Sequence, residues 1–327
     1  MKEALFYEKL DKDKVHCRLC PQHCIILPGK RGLCRVRENR DGTLYSLVYG
    51  RVSSQTMDPI EKKPLYHFYP GRGILSLGTI GCNLRCQWCQ NWHISQEEAP
   101  THLLSPESAV ELARKNRSIG IAFTYNEPLI SYEYVRETAR LAHQAGLVNV
   151  LVTNGFIDPE PLDALIPCID AANIDVKAFH EDFYRKHCNG QLAPVMRAVE
   201  RTFRLWHVEL TNLLIPGLND SDEEIRDLVG WIAGLDPNIP LHFSRYFPRY
   251  RCEIPPTPYE TMERARTIAL ETLPFVYLGN VADEEASTTY CPSCHAVLIA
   301  RLGCTISPRD YRDGKCQACG AAVPIID

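Results

Sequence analysis

Short apolar runs alternate with helical patterns through the middle of the chain, and this alternation most constrains the fold. The runs are rich in Ile, Val, Leu and Phe, as is typical of strands buried on both faces. They are Ile74–Thr79, Ile119–Thr124, Val148–Thr153, Ala172–Lys177, Val208–Ile215, Pro240–Ser244 and Phe275–Leu278. Helices are predicted after Ser105, over Tyr132–Gln144, from Asp220 to Gly234, and within Thr257–Leu273. The pattern predicts an α/β fold with a parallel sheet, arranged as a partial (β/α) barrel.

The composition of the chain limits its class and its cellular setting. It has 327 residues, 15 cysteines and a net charge of −4. The charge argues against a nucleic-acid surface or an anionic-membrane surface. We find no signal-like segment and no apolar run long enough for a membrane span. Without an export signal, so many cysteines indicate reduced, metal-bound thiols in a cytoplasmic protein.

A triplet of cysteines follows the first predicted strand. Cys82, Cys86 and Cys89 have the spacing C-x3-C-x2-C. Three thiols on one loop can hold three irons of a [4Fe–4S] cluster and leave the fourth iron open to a substrate or cofactor. The alternative is a structural metal loop that takes a fourth ligand from elsewhere in the chain. The triplet therefore predicts either chemistry at an open iron or a closed structural site.

Two further cysteine groups lie near the ends of the chain. In the C-terminal group, two C-x2-C pairs are spaced as in a zinc ribbon, which predicts structural zinc; a rubredoxin-like iron site or a chance pairing is the alternative. Its members are Cys291, Cys294, Cys316 and Cys319. The N-terminal group can hold zinc or a second cluster, and its pattern leaves both open. Its members are Cys17, Cys20, Cys24 and Cys34.

These groups divide the chain into three predicted parts. Residues 1–70 would form an N-terminal cysteine-rich, metal-binding extension. Residues 71–285 would form the partial barrel. Residues 286–327 would form a module that resembles a zinc ribbon.

Polar residues cluster where the apolar runs end. They are Thr124–Pro128, Thr153–Gly155, Asp175–Lys177, Glu209 with Thr211, and His242 with Arg245. Active sites of (β/α) barrels lie at the carboxyl ends of the strands. We therefore expect these residues to surround one pocket beside the cysteine triplet.

The triplet, with Trp88 before its last cysteine, resembles that of the radical S-adenosylmethionine (SAM) superfamily. Four further phrases resemble one branch of it, the AmmeMemoRadiSam-system radical SAM proteins, which are related to the activases of glycyl-radical enzymes. These phrases are Phe123–Pro128, Val152–Gly155, Ile174–Ala178 and Leu214–Ser221. The resemblance covers the whole chain. It implies an oxygen-sensitive enzyme with a [4Fe–4S] cluster, SAM as cofactor and a radical SAM partial barrel.

The resemblance also implies roles for individual residues. Glu127 would receive the amino group of SAM, Lys177 would pair with its carboxylate, and Asp175 would hold Lys177 or the ammonium. Asn154, with Thr153, would contact the ribose or the carboxylate.

Two aromatic side chains would complete this set. His242 would contact the adenosine of SAM, with a structural histidine as the alternative. Trp88 would pack on the cluster loop or under the adenine, with packing in the core as the alternative.

The implied reaction is the reductive cleavage of SAM to a 5′-deoxyadenosyl radical, which abstracts hydrogen from an unidentified substrate. An electron donor of the ferredoxin or flavodoxin type is expected, with AMMECR1-like and Memo-like proteins as partners. Two alternatives stay open: an activase that acts on a partner protein, and a non-catalytic iron–sulfur and zinc scaffold or electron-relay protein.

Overall fold

The computed structural model describes residues 1–307 and 310–327, and its N-terminal part is built from short antiparallel strands. These strands are β1 (Lys2–Glu3), β2 (Tyr7–Lys9), β3 (Val15–Cys17), β4 (Ile25–Ile26), β5 (Arg37–Arg40), β6 (Thr43–Ser46) and β7 (Arg51–Val52). β3 lies between β2 and β4, and β6 lies between β1 and β5. The cysteine-rich N-terminal segment is thereby folded into two small sheets.

An eight-stranded sheet forms the centre of the protein. The next strands are β8 (Ser54–Pro59), β9 (Gly73–Gly78), β10 (His102–Leu103), β11 (Gly120–Phe123), β12 (Val148–Thr153), β13 (Ala171–Asp175), β14 (His207–Leu214), β15 (Leu241–Arg245) and β16 (Val276–Gly279). The order in the sheet is β16-β15-β14-β13-β12-β11-β9-β8, with β8 antiparallel and the rest parallel. β10 pairs with β7 instead.

The strands of this sheet and the helices that connect them follow the predicted alternation. The helices are α1 (Trp92–Ser95), α2 (Pro106–Lys115), α3 (Tyr132–Gln144), α4 (Pro159–Leu165), α5 (Glu181–Phe183), α6 (Leu192–Thr202), α7 (Asp222–Leu235) and α8 (Tyr259–Leu270). The side chain of Ser105 accepts a hydrogen bond from the amide of Ser108 and caps α2, and Ser221 caps α7 in the same way. The predicted partial barrel is confirmed.

Strand β8 was not predicted, and it lies within the segment that we assigned to the N-terminal extension. It pairs along its whole length with β9, from Ser54 opposite Gly78 to Pro59 opposite Gly73. A single-turn 3₁₀ helix, Ile60–Lys62, follows it. The barrel sheet therefore begins before residue 71, and the start of β8 lies beside the carboxyl end of β9.

The C-terminal part has a small core of its own, which includes Leu298, Ile299 and Val323. Its strands are β17 (Thr289–Tyr290), β18 (Val297–Ile299), β19 (Arg301–Leu302), β20 (Thr305–Ile306), β21 (Tyr311–Arg312) and β22 (Lys315–Cys316). Buried Arg301 donates to the carbonyl of Tyr66 at 2.7 Å and fixes this part to the segment before β9.

None of the helices among the described residues is long and apolar enough to cross a membrane.

Candidate active site

The loop after β9 carries the cysteine triplet, and all three thiols line one large cavity at the carboxyl ends of the parallel strands. The cavity has a volume of about 940 Å³. This is the upper end of the range for sites that bind small molecules and cofactors. The position agrees with the general rule that (β/α) folds carry their active sites at this edge.

Hydrogen bonds from neighbouring segments hold the triplet loop in place. The side chain of Asn126 accepts from the amide of Thr79 and donates to the carbonyl of Gly81, both at 2.9 Å. The amide of Arg85 donates to the carbonyl of Cys188 at 2.7 Å. The loop is thus anchored on both sides, so its thiols have defined positions.

The spacing of the thiols fits a multi-iron cluster better than a single ion. Across residues 1–307 and 310–327, the four C-terminal thiols are the one group of three or more ligand atoms that all lie within 4.8 Å of one another. The triplet is more widely spaced, as expected when each thiolate binds its own iron. Burial raises the pKa of Cys82 and of Cys89, so metal binding must displace their protons. The triplet therefore fits a [4Fe–4S] cluster.

Glu127 lies on the cavity wall and is 3% exposed. Its carboxylate accepts hydrogen bonds from the amide of Leu129 at 2.9 Å, the hydroxyl of Thr153 at 2.7 Å and the amide of Asn154 at 2.8 Å. Burial raises the pKa of Glu127 to about 7 despite these donors. A carboxylate has about four acceptor positions, so one remains for a cationic ligand group.

Asp175 and Lys177 form an ion pair on the same wall, with Nζ of Lys177 2.7 Å from Oδ2 of Asp175. Burial opposes the charge on Lys177, but the carboxylate of Asp175 outweighs it and raises the pKa of Lys177. The amide of Lys177 donates to the hydroxyl of Tyr184 at 2.9 Å. The structure thus holds a permanent cation on the wall of the cavity that the triplet lines.

Asn154 contacts the cysteine loop directly. Its side-chain amide donates to Oδ1 of Asn83 at 3.0 Å and lies 3.7 Å from the sulfur of Cys82. Its Oδ1 accepts from the amide of Phe156 at 2.9 Å. Asn154 and Thr153 both line the cavity, and Asn154 also positions the triplet.

Trp88 lies at the base of the triplet loop and lines the cavity, although it is 5% exposed. Its ring packs on Phe183 with centroids 5.1 Å apart. Trp88 therefore packs on α5 and lines the cavity, and its packing on the cluster loop or under the adenine stays a prediction.

The structure does not bring His242 to the cavity, which corrects the predicted contact with adenosine. Its Nε2 donates to Oε2 of Glu209 at 2.6 Å in the buried interior. Nε2 of His207 lies 2.9 Å from Oε1 of the same carboxylate. Burial opposes the charge on Glu209, but the two histidines hold its pKa well below the usual range. His242 instead belongs to a buried network, and Arg245, three residues later, lines the cavity.

A second charged pair on the cavity wall was missed in the sequence. Nζ of Lys63 lies 2.8 Å from Oδ2 of Asp58, and the hydroxyl of Tyr125 donates to the same oxygen at 2.6 Å. Asp58 belongs to β8, and Lys63 follows the 3₁₀ helix. The signal was weak because β8 is mostly polar, so its pairing with β9 was not predicted.

The C-terminal thiols lie close together, as tetrahedral coordination of one metal ion requires. The sulfurs of Cys291 and Cys319 are 3.6 Å apart, and those of Cys294 and Cys316 are 3.8 Å apart. Burial acts against the thiolate of Cys291, but the amides of Cys294 and Ser293 lower its pKa to about 7. This arrangement fits one zinc ion bound by four thiolates.

The N-terminal cysteines also converge. Cys17, Cys20, Cys24 and Cys34 line one small cavity, which is separate from the large one. Their sulfurs are more widely spaced than those of the C-terminal group, among the residues that the structure describes.

Comparison with known proteins identifies the family. Residues 77–229 match the Radical SAM superfamily. Over its full length the chain is 46% identical to MJ0808, an uncharacterized protein of Methanocaldococcus jannaschii, which it also covers completely. The chain belongs to the radical SAM superfamily.

More distant relatives agree with this assignment. The chain is 23% identical to the pyruvate formate-lyase 1-activating enzyme of Escherichia coli, over 45% of this chain and 63% of that protein. The structure of Streptococcus suis SuiB bound to S-adenosylmethionine has a TM-score of 0.50 at 11% identity, over 68% of this chain and 53% of SuiB, and shows a common fold. The protein is thus a radical SAM enzyme, and membership implies a [4Fe–4S] cluster and SAM as cofactors.

Proposed function

We propose that Cys82, Cys86 and Cys89 hold the [4Fe–4S] cluster, and that SAM binds its open iron with Glu127 and Lys177 around the amino-acid end of SAM. The observation that carries this proposal is that one cavity brings together three widely spaced thiols, a buried carboxylate and a paired cation. Its volume of about 940 Å³ leaves room for a nucleoside beside the cluster.

The charges on the cavity wall support a defined orientation of SAM. Glu127 offers an acceptor to the ammonium group, and Lys177 offers a cation to the carboxylate. Asp175 already accepts from Nζ of Lys177 at 2.7 Å, so its role is to hold that lysine. Two opposite charges at fixed positions bind a zwitterion better than one charge alone.

The cluster that Cys82, Cys86 and Cys89 would hold would, when reduced, supply the electron for cleavage of SAM and so for abstraction of hydrogen from the substrate. The protein's own residues hold SAM and keep water away. Trp88 and Leu84 line the cavity at the triplet and are almost fully buried. They seal the loop side of the cavity, as a radical reaction requires.

The hydrogen donor is proposed in two forms, a small molecule or a partner protein. The kinship with a pyruvate formate-lyase 1-activating enzyme supports the second form, an activase. AMMECR1-like and Memo-like proteins stay the proposed partners, with a ferredoxin- or flavodoxin-type electron donor.

Deuterium-labelled partners or metabolites, incubated with enzyme, reductant and SAM, are expected to transfer deuterium to 5′-deoxyadenosine. The donor class that transfers no label is rejected.

Binding of SAM to the cluster is tested by electron paramagnetic resonance (EPR). Adding SAM to the reduced, reconstituted protein is expected to change the g values of the [4Fe–4S]⁺ signal, because SAM ligates the open iron. S-adenosylhomocysteine without its amino group is the matched control, since it lacks one of the two chelating groups. An unchanged spectrum at saturating SAM would reject the proposed coordination.

We also propose that Cys291, Cys294, Cys316 and Cys319 bind one structural zinc ion. The double variant Cys294→Ala/Cys319→Ala is expected to lose about one zinc per chain. Residues 286–327 should then become sensitive to protease, because metal binding and folding of such a small module are coupled. Cys304→Ala is the control, since this exposed thiol lies outside the group. Unchanged zinc content in the double variant would contradict the assignment.

A further inference from the structure

The N-terminal cysteines come together through the pairing of β3 with β4. Cys17 ends β3, and its amide donates to the carbonyl of Cys24 at 2.9 Å. Cys20 lies in the connecting turn, where its carbonyl accepts from the amide of His23 at 3.0 Å. Cys34 reaches the same cavity from the loop before β5. All four are free thiols, so the segment is organised as a ligand set and not by disulfides.

We infer that Cys17, Cys20, Cys24 and Cys34 hold a second [4Fe–4S] cluster and not a zinc ion. This inference goes beyond the proposed function and does not depend on it.

The spacing of the sulfurs carries the inference. Four thiolates on one zinc ion, each about 2.3 Å from the metal, lie about 3.8 Å from one another. The C-terminal group has this spacing, at 3.6 and 3.8 Å for two of its pairs. Within the described part of the chain, the N-terminal group does not have even three thiols within 4.8 Å of one another, and neither does the triplet. The N-terminal group therefore has the spacing of thiolates that bind separate irons.

The space between the N-terminal thiols points the same way. It is a cavity of about 10 Å³, which is room for about one water molecule. Four sulfurs placed for zinc, each about 2.3 Å from a shared centre, would leave no room for a water molecule at that centre, because a non-bonded water oxygen stays roughly 3.5 Å from each sulfur. The chain thus surrounds a volume that a single zinc ion would not fill. Apolar side chains of Leu19, Ile26 and Ile130 complete its wall.

A buried guanidinium group beside the thiols has a donor to spare. Arg37 lines the cavity and is 1% exposed. Its terminal nitrogens donate to the carbonyl of Leu5 at 3.0 Å and to Glu133 at 2.6 Å. Its Nε is buried without a hydrogen-bond partner. A buried donor without a partner lowers the stability of the fold, and a sulfur of a bound cluster would accept a hydrogen bond from this Nε.

A second donor already points at the ligand set. The amide of Leu33 donates to the sulfur of Cys24 at 3.4 Å. Hydrogen bonds to sulfur are among the factors that set the reduction potential of an iron–sulfur cluster. Together, the amide of Leu33 and Nε of Arg37 are two hydrogen-bond donors beside the sulfurs of the N-terminal group.

The two cluster sites share a wall. Asn83 lines the small cavity, and its neighbour Cys82 lines the large one. Gln22 donates to the carbonyl of Asn83 at 2.9 Å. Gly81 has φ +88°, and a Cβ there would lie 2.5 Å from the carbonyl oxygen of Cys34. The second cluster would therefore adjoin the loop that carries the radical SAM cluster.

The test counts metals in the full-length protein, produced with both iron and zinc supplied and purified without oxygen. The wild type is expected to contain about eight irons, about eight sulfides and about one zinc per chain. About four irons with about two zincs would overturn the inference, and so would about four irons with one zinc. Mössbauer spectra on ⁵⁷Fe check that the irons belong to four-iron clusters.

Two variants assign the irons to their sites. Cys82→Ala/Cys86→Ala/Cys89→Ala is expected to keep about four irons and a four-iron Mössbauer spectrum, although it cannot cleave SAM. Cys20→Ala/Cys24→Ala should lose about half of the wild-type iron and keep its zinc. A triplet variant without iron but with about two zincs would show that the N-terminal group binds zinc. Because the wild-type count stands by itself, poor folding of a variant does not rescue the inference.

Discussion

Cys86→Ala is expected to lower 5′-deoxyadenosine formation by at least about 100-fold, to the level found without protein. Cys86 lies in the triplet loop, 9% exposed, between the proposed ligands Cys82 and Cys89. Alanine removes one of three proposed protein ligands, so the cluster is lost or loses its open iron. Product is measured by mass spectrometry after anaerobic reconstitution, with dithionite and SAM in excess.

The control for this variant is Cys304→Ala, which removes an exposed thiol from outside the proposed ligand sets. It should form product at the wild-type rate and keep the wild-type iron content. If Cys86→Ala gives as much product as the wild type, the triplet is not the site of SAM cleavage.

Glu127→Gln is expected to weaken SAM binding by about 10–100-fold, the range for loss of a charge-assisted hydrogen bond in a buried site. The change keeps the size of the side chain but removes the negative charge that faces the cavity. It also turns one acceptor into a donor, opposite the amide of Leu129 or that of Asn154. Binding is measured by titrating SAM into the reconstituted protein and following the EPR signal.

Glu160→Gln is the matched control, since Glu160 is exposed in the first turn of α4. Iron content is measured for both variants, to separate loss of SAM binding from loss of the cluster. Wild-type affinity in Glu127→Gln, with its iron intact, would reject a role for this carboxylate in SAM binding.

The ionisation of Glu127 gives the same prediction a pH dependence. Burial raises its pKa to about 7 without ligand, so the carboxyl is increasingly neutral below pH 7. An ammonium group binds the ionised form. SAM affinity should therefore fall as the pH is lowered through 7, by up to about tenfold per pH unit. In an assay that covers roughly pH 5 to pH 8, the SAM affinity of Glu127→Gln should not change with pH in this way.

The sequence was sufficient to predict the strands that are buried on both faces. All seven predicted apolar runs overlap observed strands, and Val148–Thr153 has the predicted bounds. β8 was not predicted because Ser54–Pro59 is mostly polar and lies at the sheet edge, where burial does not impose an apolar pattern. With β8, the pair of Asp58 and Lys63 was missed too.

Positions within strands explain the error at His242. It is the second residue of β15, whereas Arg245, the last residue, reaches the cavity. Glu209 is likewise near the start of β14. In a parallel sheet the site lies toward the carboxyl ends of the strands, and a sequence pattern locates those ends to within a few residues.

The cysteine groups show a different limit. Spacing along the chain predicted three candidate ligand sets, but C-x2-C and C-x3-C segments occur in zinc sites and in iron–sulfur sites alike. What separates them is the distance between sulfurs in space. Cys17 and Cys34 are 17 residues apart in number, and only the folding of β3, β4 and the following loop brings them to one cavity.

The most direct test of the central claim is SAM cleavage by the wild-type enzyme. The protein is reconstituted with iron and sulfide, reduced with dithionite and incubated with SAM, and both products are quantified. We predict equal amounts of 5′-deoxyadenosine and methionine that require SAM, reductant and cluster together. A fully reduced cluster that yields neither product at saturating SAM would contradict the account.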